Sequence, residues 1–187
     1  MPEFRSIPLN EMRFARYSVI YDAEILASIV ARTRDIYPHE LGAFLLGSIV
    51  QPKTEVYAVN GLYIPEQECT RNKWEFPVRE LAAARKYAAN RDRLLIGMAH
   101  SHPWPRPHLL GTHLSVKDAE LQSEERLAIS SVIHVWDTGW ALATWRDGFA
   151  ASLNHYVTDG KKTKTFDAWL KSNKSREPWT GGGFTNF

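Results

Sequence analysis

Two histidines separated by one residue, His100 and His102, follow a short apolar stretch at residues 94–99 of this 187-residue chain. In a β-strand alternate side chains point to the same side, so the two imidazoles would lie about 6 to 7 Å apart along one face. Asp118 follows in the first turn of a predicted helix. Two histidines and one carboxylate leave a fourth position for water around a tetrahedral ion, an arrangement typical of catalytic zinc. The spacing therefore predicts a site for one Zn²⁺ per chain.

The elements that would position these residues are three helices and five strands. Helical spacing of apolar residues and N-cap residues predict helices at residues 22–34, 77–91 and 115–127. Apolar or alternating runs predict strands at residues 41–50, 55–64, 94–99, 129–136 and 140–145. Because strands that are neighbours in sequence are mixed with helices, we expect an α+β fold of three layers. Its sheet would be mixed, mainly antiparallel, and flanked by helices.

Composition and charge exclude several classes of protein. A net charge of +2, with no basic block before the last thirty residues, argues against a nucleic-acid partner. The single cysteine, Cys69, excludes an internal disulfide and a cysteine-based zinc cluster. No stretch approaches the roughly 18 apolar residues of a membrane span, and residues 1–20 lack the apolar core of a secretory signal. The sequence predicts a cytoplasmic protein without a membrane partner.

Three motifs in order carry a resemblance to a known family: Glu40 before a glycine-punctuated apolar stretch, then His-x-His-Pro, then Ser-x-x-Asp. This order resembles the JAMM motif of MPN-domain metallopeptidases, whose best-known members are zinc deubiquitinases. The resemblance covers roughly residues 18–150. It implies an MPN-like fold and zinc bound by His100, His102 and Asp118. It also implies a water-activating Glu40 and a Ser115 that supports the oxyanion.

One departure from the family pattern enlarges a loop beside the predicted metal. Twelve residues, 103–114, separate His102 from the serine of the Ser-x-x-Asp motif, where the usual motif has seven. Leu114 stands where the usual motif has proline. Trp104 lies between two prolines in this loop, and an aromatic side chain held there would suit contact with a substrate.

Three further histidines lie near the motif without completing it. His108 and His113 belong to the enlarged loop and are predicted to be solvated, because the ligand set is complete without them. His134 lies in a predicted strand and is predicted to be a hydrogen-bonded core or sheet residue.

The resemblance also sets the expected domain boundary and function. We expect a JAMM/MPN-like metallopeptidase domain at residues 1–155 and a polar, potentially flexible C-terminal extension at 156–187. The implied activity is zinc-dependent hydrolysis of the isopeptide or peptide bond after the C-terminus of a ubiquitin-like protein. Partners would be that protein or its conjugates, together with cognate conjugation enzymes.

Two other functions occur among MPN-like proteins and are alternatives for this chain. One is an inactive MPN scaffold, against which the intact ligand set argues. The other is a DNA-repair-associated MPN protein, against which the near-neutral charge argues.

Overall fold

Nine strands form one mixed sheet in a computed structural model that describes Phe14 and residues 16–108, 111–146 and 151–173. The strands are β1 (Ser18–Asp22), β2 (Gly42–Gln51), β3 (Val56–Tyr63), β6 (Leu94–Pro103), β7 (Ile129–Trp136), β8 (Gly139–Arg146), β9 (Ala151–Ser152), β10 (Asn154–Thr158) and β11 (Thr163–Thr165). A separate hairpin consists of β4 (Glu68–Thr70) and β5 (Lys73–Glu75). The helices are α1 (Ala23–Asp35), α2 (Val78–Ala89), α3 (Val116–Glu124) and α4 (Phe166–Asn173), with a 3-10 turn at Pro52–Thr54.

The strand order across the sheet is β11-β10-β1-β3-β2-β6-β7-β8-β9. Three neighbouring pairs are parallel (β1 with β10, β1 with β3, and β6 with β7), and the other five are antiparallel. The sheet is therefore mixed and mainly antiparallel, as predicted. The predicted strand for residues 94–99 is confirmed, and it continues as β6 to Pro103, so both histidines of the His-x-His motif lie within a strand.

Helices cover both faces of the sheet. Side chains alternate along each strand, so neighbouring apolar residues of one strand pack into cores on opposite faces. On one face Leu45 belongs to a core that includes Leu26 of α1 and Leu170 of α4. On the other face Phe44, the neighbouring residue of β2, packs in a second core with Leu81 of α2. The resulting three-layer α+β architecture confirms the predicted fold class.

Helix ends follow local capping chemistry. The Asp22 carboxylate accepts hydrogen bonds from the backbone N–H groups of Glu24 and Ile25 and begins α1. Pro77, expected as the first helical residue, is instead the N-cap of α2. α3 begins after Ser115 as predicted and ends at Glu124, before the predicted residue 127.

The predicted boundary after residue 155 falls inside β10, which pairs in parallel with β1. Val157, Phe166 and Leu170 are buried against the core, so residues 156–173 complete the sheet and its helical layer. The short strands β1, β4, β5, β9, β10 and β11 and the helix α4 were not predicted. The remainder of the predicted extension, residues 174–187, lies outside the described residues. No described helix combines the length and apolar character that a membrane span requires.

Candidate metal centre

His100 and His102 lie on one face near the end of β6, the strand held between β2 and β7. His100 pairs in register with Gly42 of β2, and His102 pairs with His134 of β7. The His100 side chain is 1% exposed, and its Nε2 lies 3.0 Å from Nε2 of His102. The two rings therefore converge at their tips, as the alternation of strand side chains predicted.

Asp118 brings a carboxylate to the same point from the first turn of α3. Its Oδ2 lies 3.2 Å from Nε2 of His100, and its side chain is 13% exposed. One ligand atom from each of His100, His102 and Asp118 lies within 4.8 Å of the others. The three residues predicted as metal ligands are thus brought together by two separate elements.

Two of the three distances within this cluster are close to those around a small tetrahedral ion. Metal–ligand bonds of about 2.0 Å place neighbouring ligand atoms about 3.3 Å apart in a tetrahedron. The observed separations from Nε2 of His100 are 3.0 Å to His102 and 3.2 Å to Asp118. The donor set of two imidazoles and one carboxylate is also one that binds zinc with an open position. The cluster could bind a metal ion without large movement of these side chains.

A hydrogen bond at Nδ1, the ring nitrogen that does not face the cluster, fixes the orientation of His102. Its Nδ1 lies 3.0 Å from the backbone carbonyl oxygen of Gly111. A carbonyl can only accept, so Nδ1 carries the proton and donates it, which leaves the lone pair of Nε2 directed at the cluster in the neutral ring. This pattern, in which a ligand histidine donates its other N–H to a carbonyl, is typical of metal centres.

For His102 and Asp118 the electrostatics favour the protonation states that bind cations. Burial, followed by the charge of His100, lowers the pKa of His102 to about 4, so its ring is neutral at pH 7. Burial opposes ionisation of Asp118, but hydrogen bonds from His100 and Ser115 and the charge of His100 hold the pKa of its carboxyl below the ordinary value. A neutral imidazole and an ionised carboxylate therefore face each other at neutral pH.

Glu40 immediately precedes Leu41 and β2, and its carboxyl lies near enough to His100 and Asp118 for their charges to affect its pKa. Its backbone N–H donates to the carbonyl of Thr70 at 2.7 Å, and the next residue, Leu41, is tied to Ser101 of β6. Burial raises the pKa of the half-buried Glu40 carboxyl to about 7, with the charge of His100 opposing and that of Asp118 adding to this shift. A carboxylate with such a pKa can accept and return a proton near neutral pH.

Ser115 is the N-cap of α3 and forms a capping box with Asp118. Its hydroxyl donates to Oδ2 of Asp118 at 2.6 Å and accepts from the Asp118 N–H at 3.2 Å. Its backbone N–H also donates to Oδ2, at 2.9 Å. The predicted cap is confirmed. The oxyanion-supporting role stays a prediction, because here the hydroxyl proton is directed at the Asp118 carboxylate.

Trp104 follows β6 directly, and its indole is 41% exposed. The ring stacks on that of His108 with centroids 4.1 Å apart, and its backbone N–H donates to the carbonyl of Val135 at 2.8 Å. Its contact with a substrate stays a prediction. The two loop histidines, His108 and His113, are exposed.

Several residues at the centre were missed by sequence reasoning. Trp74 of the β4–β5 hairpin stacks on His100 at 6.0 Å, and a Cβ at Gly42 would overlap its indole. A glycine inside a strand indicates such a close approach, so Gly42 was an available signal. The carbonyl of Gly111 and the hydroxyl of Ser101 left no comparable signal, because they act through contacts between distant parts of the chain.

Comparisons with known proteins bear on the family and the fold of this chain. A family model described as prokaryotic homologues of the JAB domain matches residues 22–108. A protein from Desulfitobacterium hafniense solved in solution has 17% identity and a TM-score of 0.54, covering 75% of this chain and 93% of its own, and this likeness shows a shared fold. No curated protein matches the sequence.

Two further solved structures are more distant. A JAB1/MPN domain protein from Archaeoglobus fulgidus has 16% identity and a TM-score of 0.47, covering 75% of this chain and 98% of its own. A protein from Salinibacter ruber has 21% identity and a TM-score of 0.46, covering 78% of this chain and 86% of its own. The family match includes Glu40, His100 and His102, so residues 22–108 of the chain are similar to prokaryotic homologues of the JAB domain.

Proposed function

We propose that this protein is a zinc-dependent isopeptidase that hydrolyses the bond after the C-terminus of a ubiquitin-like protein. The observation that carries the proposal is the convergence of His100, His102 and Asp118 beside a carboxyl, Glu40, whose pKa lies near 7. Metal ligands and a separate proton acceptor are the two parts that hydrolysis by activated water requires.

The metal would be held by Nε2 of His100, Nε2 of His102 and a carboxylate oxygen of Asp118. Bound there, zinc would supply a Lewis acid that polarises the scissile carbonyl and acidifies water. The Gly111 carbonyl would keep the His102 ring oriented. Ser115 would hold the Asp118 carboxylate through two hydrogen bonds.

Glu40 would move the proton. Its ionised carboxylate takes a proton from the attacking water as the oxygen bonds to the carbonyl carbon. The C–N bond then breaks, and Glu40 delivers the same proton to the departing amine nitrogen. Ser115 would support the carbonyl oxygen once its hydroxyl turns away from Asp118, which the Ser115 backbone N–H would continue to hold. One such donor is typically worth about 3 to 4 kcal/mol of transition-state stabilisation.

The substrate class rests on the family match over residues 22–108 and on the motif, which resembles that of zinc deubiquitinases. A ubiquitin-like protein, its conjugates and their conjugation enzymes are therefore the proposed partners. Trp104, exposed immediately after β6, is the proposed contact for the substrate.

Cleavage of defined substrates tests this proposal. Ubiquitin-like proteins fused through their C-termini to a reporter, or linked to a lysine side chain, would be incubated with the zinc-loaded protein. We expect release of the free C-terminus, loss of release with a chelator, and recovery on adding zinc. Cleavage of none of these substrates by the zinc-loaded protein would contradict the proposed activity.

A further inference from the structure

His134 of β7 uses both ring nitrogens to connect β6 with the loop that follows it. Nδ1 lies 3.0 Å from the backbone carbonyl of His102, and the backbone N–H of His108 donates to Nε2 at 3.1 Å. Because a carbonyl only accepts and an amide N–H only donates, Nδ1 carries the proton and Nε2 accepts. Neither nitrogen is left for a metal, so His134 is not an additional ligand.

The same ring packs against Gly111, further along the loop. A Cβ added at Gly111 would overlap the Cγ and Cδ2 atoms of the His134 ring, so only a glycine approaches this closely. The carbonyl of Gly111 is the group that accepts the hydrogen bond from Nδ1 of His102. His134 thus contacts Gly111, which links the loop to the metal ligand, and also His108, whose carbonyl accepts a hydrogen bond from the Gly111 N–H at 2.9 Å.

We propose that His134 is a positioning residue for His102. By holding the enlarged loop against β6 and β7, it places the Gly111 carbonyl where it accepts the Nδ1 proton of His102, and this directs Nε2 of His102 toward the cluster. The proposal deepens the metal site on which the proposed function rests. It also gives the longer loop a role: the loop supplies the carbonyl that orients a metal ligand.

The packing between the ring and the glycine provides a test through two single variants and their combination. His134→Ala removes the ring, and Gly111→Ala pushes the loop away from it. Each should weaken zinc binding about 10- to 100-fold, the usual cost of losing a group that orients a metal ligand. In the double variant the missing ring leaves room for the new methyl group at position 111, so the combined loss should be smaller than the product of the two single losses.

Zinc affinity would be measured by competition with a chromophoric chelator. His113→Ala is the matched control, because it removes an exposed imidazole from the same loop. The control should bind zinc as the wild type does. Thermal unfolding of all variants would show that the metal-free proteins are folded at the temperature of the measurement.

A second readout uses the metal-free protein and needs no zinc. ¹⁵N-edited NMR of the His102 ring should show the Nδ1–H tautomer in the wild type, and this preference should be lost in His134→Ala and Gly111→Ala. Wild-type zinc affinity in both single variants, or an unchanged His102 tautomer, would overturn the inference. Absence of zinc binding by the wild type would contradict the proposed function, while the tautomer measurement would still decide the role of His134.

Discussion

Replacing Ser101 by alanine should destabilise the fold, because the Ser101 hydroxyl holds Leu41, the residue that follows Glu40. Ser101 is fully buried, its hydroxyl accepts a hydrogen bond from the Leu41 N–H at 2.8 Å, and its own N–H donates to the Leu41 carbonyl at 2.8 Å. The alanine variant keeps the second bond and loses the first. A buried N–H left without a partner costs about 1 to 3 kcal/mol, so the free energy of unfolding should fall by that amount.

Ser130 of β7 provides a matched control for this substitution. It is also fully buried, but its hydroxyl has no hydrogen-bond partner among the described residues. Removing an unsatisfied hydroxyl should leave stability unchanged or increase it, so Ser130→Ala should lie within about 0.5 kcal/mol of the wild type or above it. The two variants remove the same atom from buried strand positions, so they differ chiefly in the hydrogen bond.

Urea unfolding followed by circular dichroism would measure both variants on the metal-free protein. The zinc content of Ser101→Ala should remain that of the wild type, because β2 and β7 hold the backbone of β6 on both sides. Its cleavage rate should fall, because the residue after Glu40 has lost an anchor. Equal unfolding free energies for Ser101→Ala and Ser130→Ala would refute the assignment of the Ser101 hydroxyl as that anchor.

Three further predictions concern the proton acceptor, the substrate contact and the core. Glu40→Gln should abolish cleavage while zinc content and stability persist, because an amide cannot take up the proton; near-wild-type turnover would exclude Glu40 as the base. Trp104→Ala should lower kcat/KM by a factor that corresponds to about 1 to 3 kcal/mol, as for an aromatic side chain that the substrate buries, and zinc content should not change. Unchanged kinetics would leave Trp104 outside the substrate site. Burial lowers the pKa of His155 to about 4 in the folded protein, whereas the unfolded chain keeps a pKa near 6.5. Between these pH values only the unfolded chain binds a proton at His155, so up to about 3 kcal/mol of stability should be lost as pH falls from 6.5 to 4. His155→Gln should lose less over this range in urea unfolding at both pH values, and an equal loss would assign the acid sensitivity to other groups.

The parts of the centre that depend on local geometry were predictable from the sequence. Alternation along a strand placed His100 and His102 on one face, and the Ser-x-x-Asp spacing predicted that a helix begins at Ser115 with Asp118 in its first turn. Both patterns need only neighbouring residues, and the structure contains both. The fold class followed from the order of strands and helices for the same reason.

The parts that depend on contacts between distant segments were not predictable in this way. The link from Ser101 to Leu41 joins residues 60 positions apart. Stacking of Trp74 on His100 depends on a hairpin of three-residue strands, which have too few positions to show an alternating pattern. The short, polar β11 and the eight-residue α4 are likewise determined by packing on the sheet, which explains why residues 156–173 resembled an extension.

Metal analysis of the freshly purified protein tests the central claim most directly. We expect about one zinc ion per chain in the wild type and in Glu40→Gln, because Glu40 is not a ligand, and loss of zinc in His102→Ala. Each protein would be measured again after zinc addition and removal of excess metal. Absence of zinc from the wild type under both conditions, or full retention by His102→Ala, would contradict the assignment of His100, His102 and Asp118 as a metal centre.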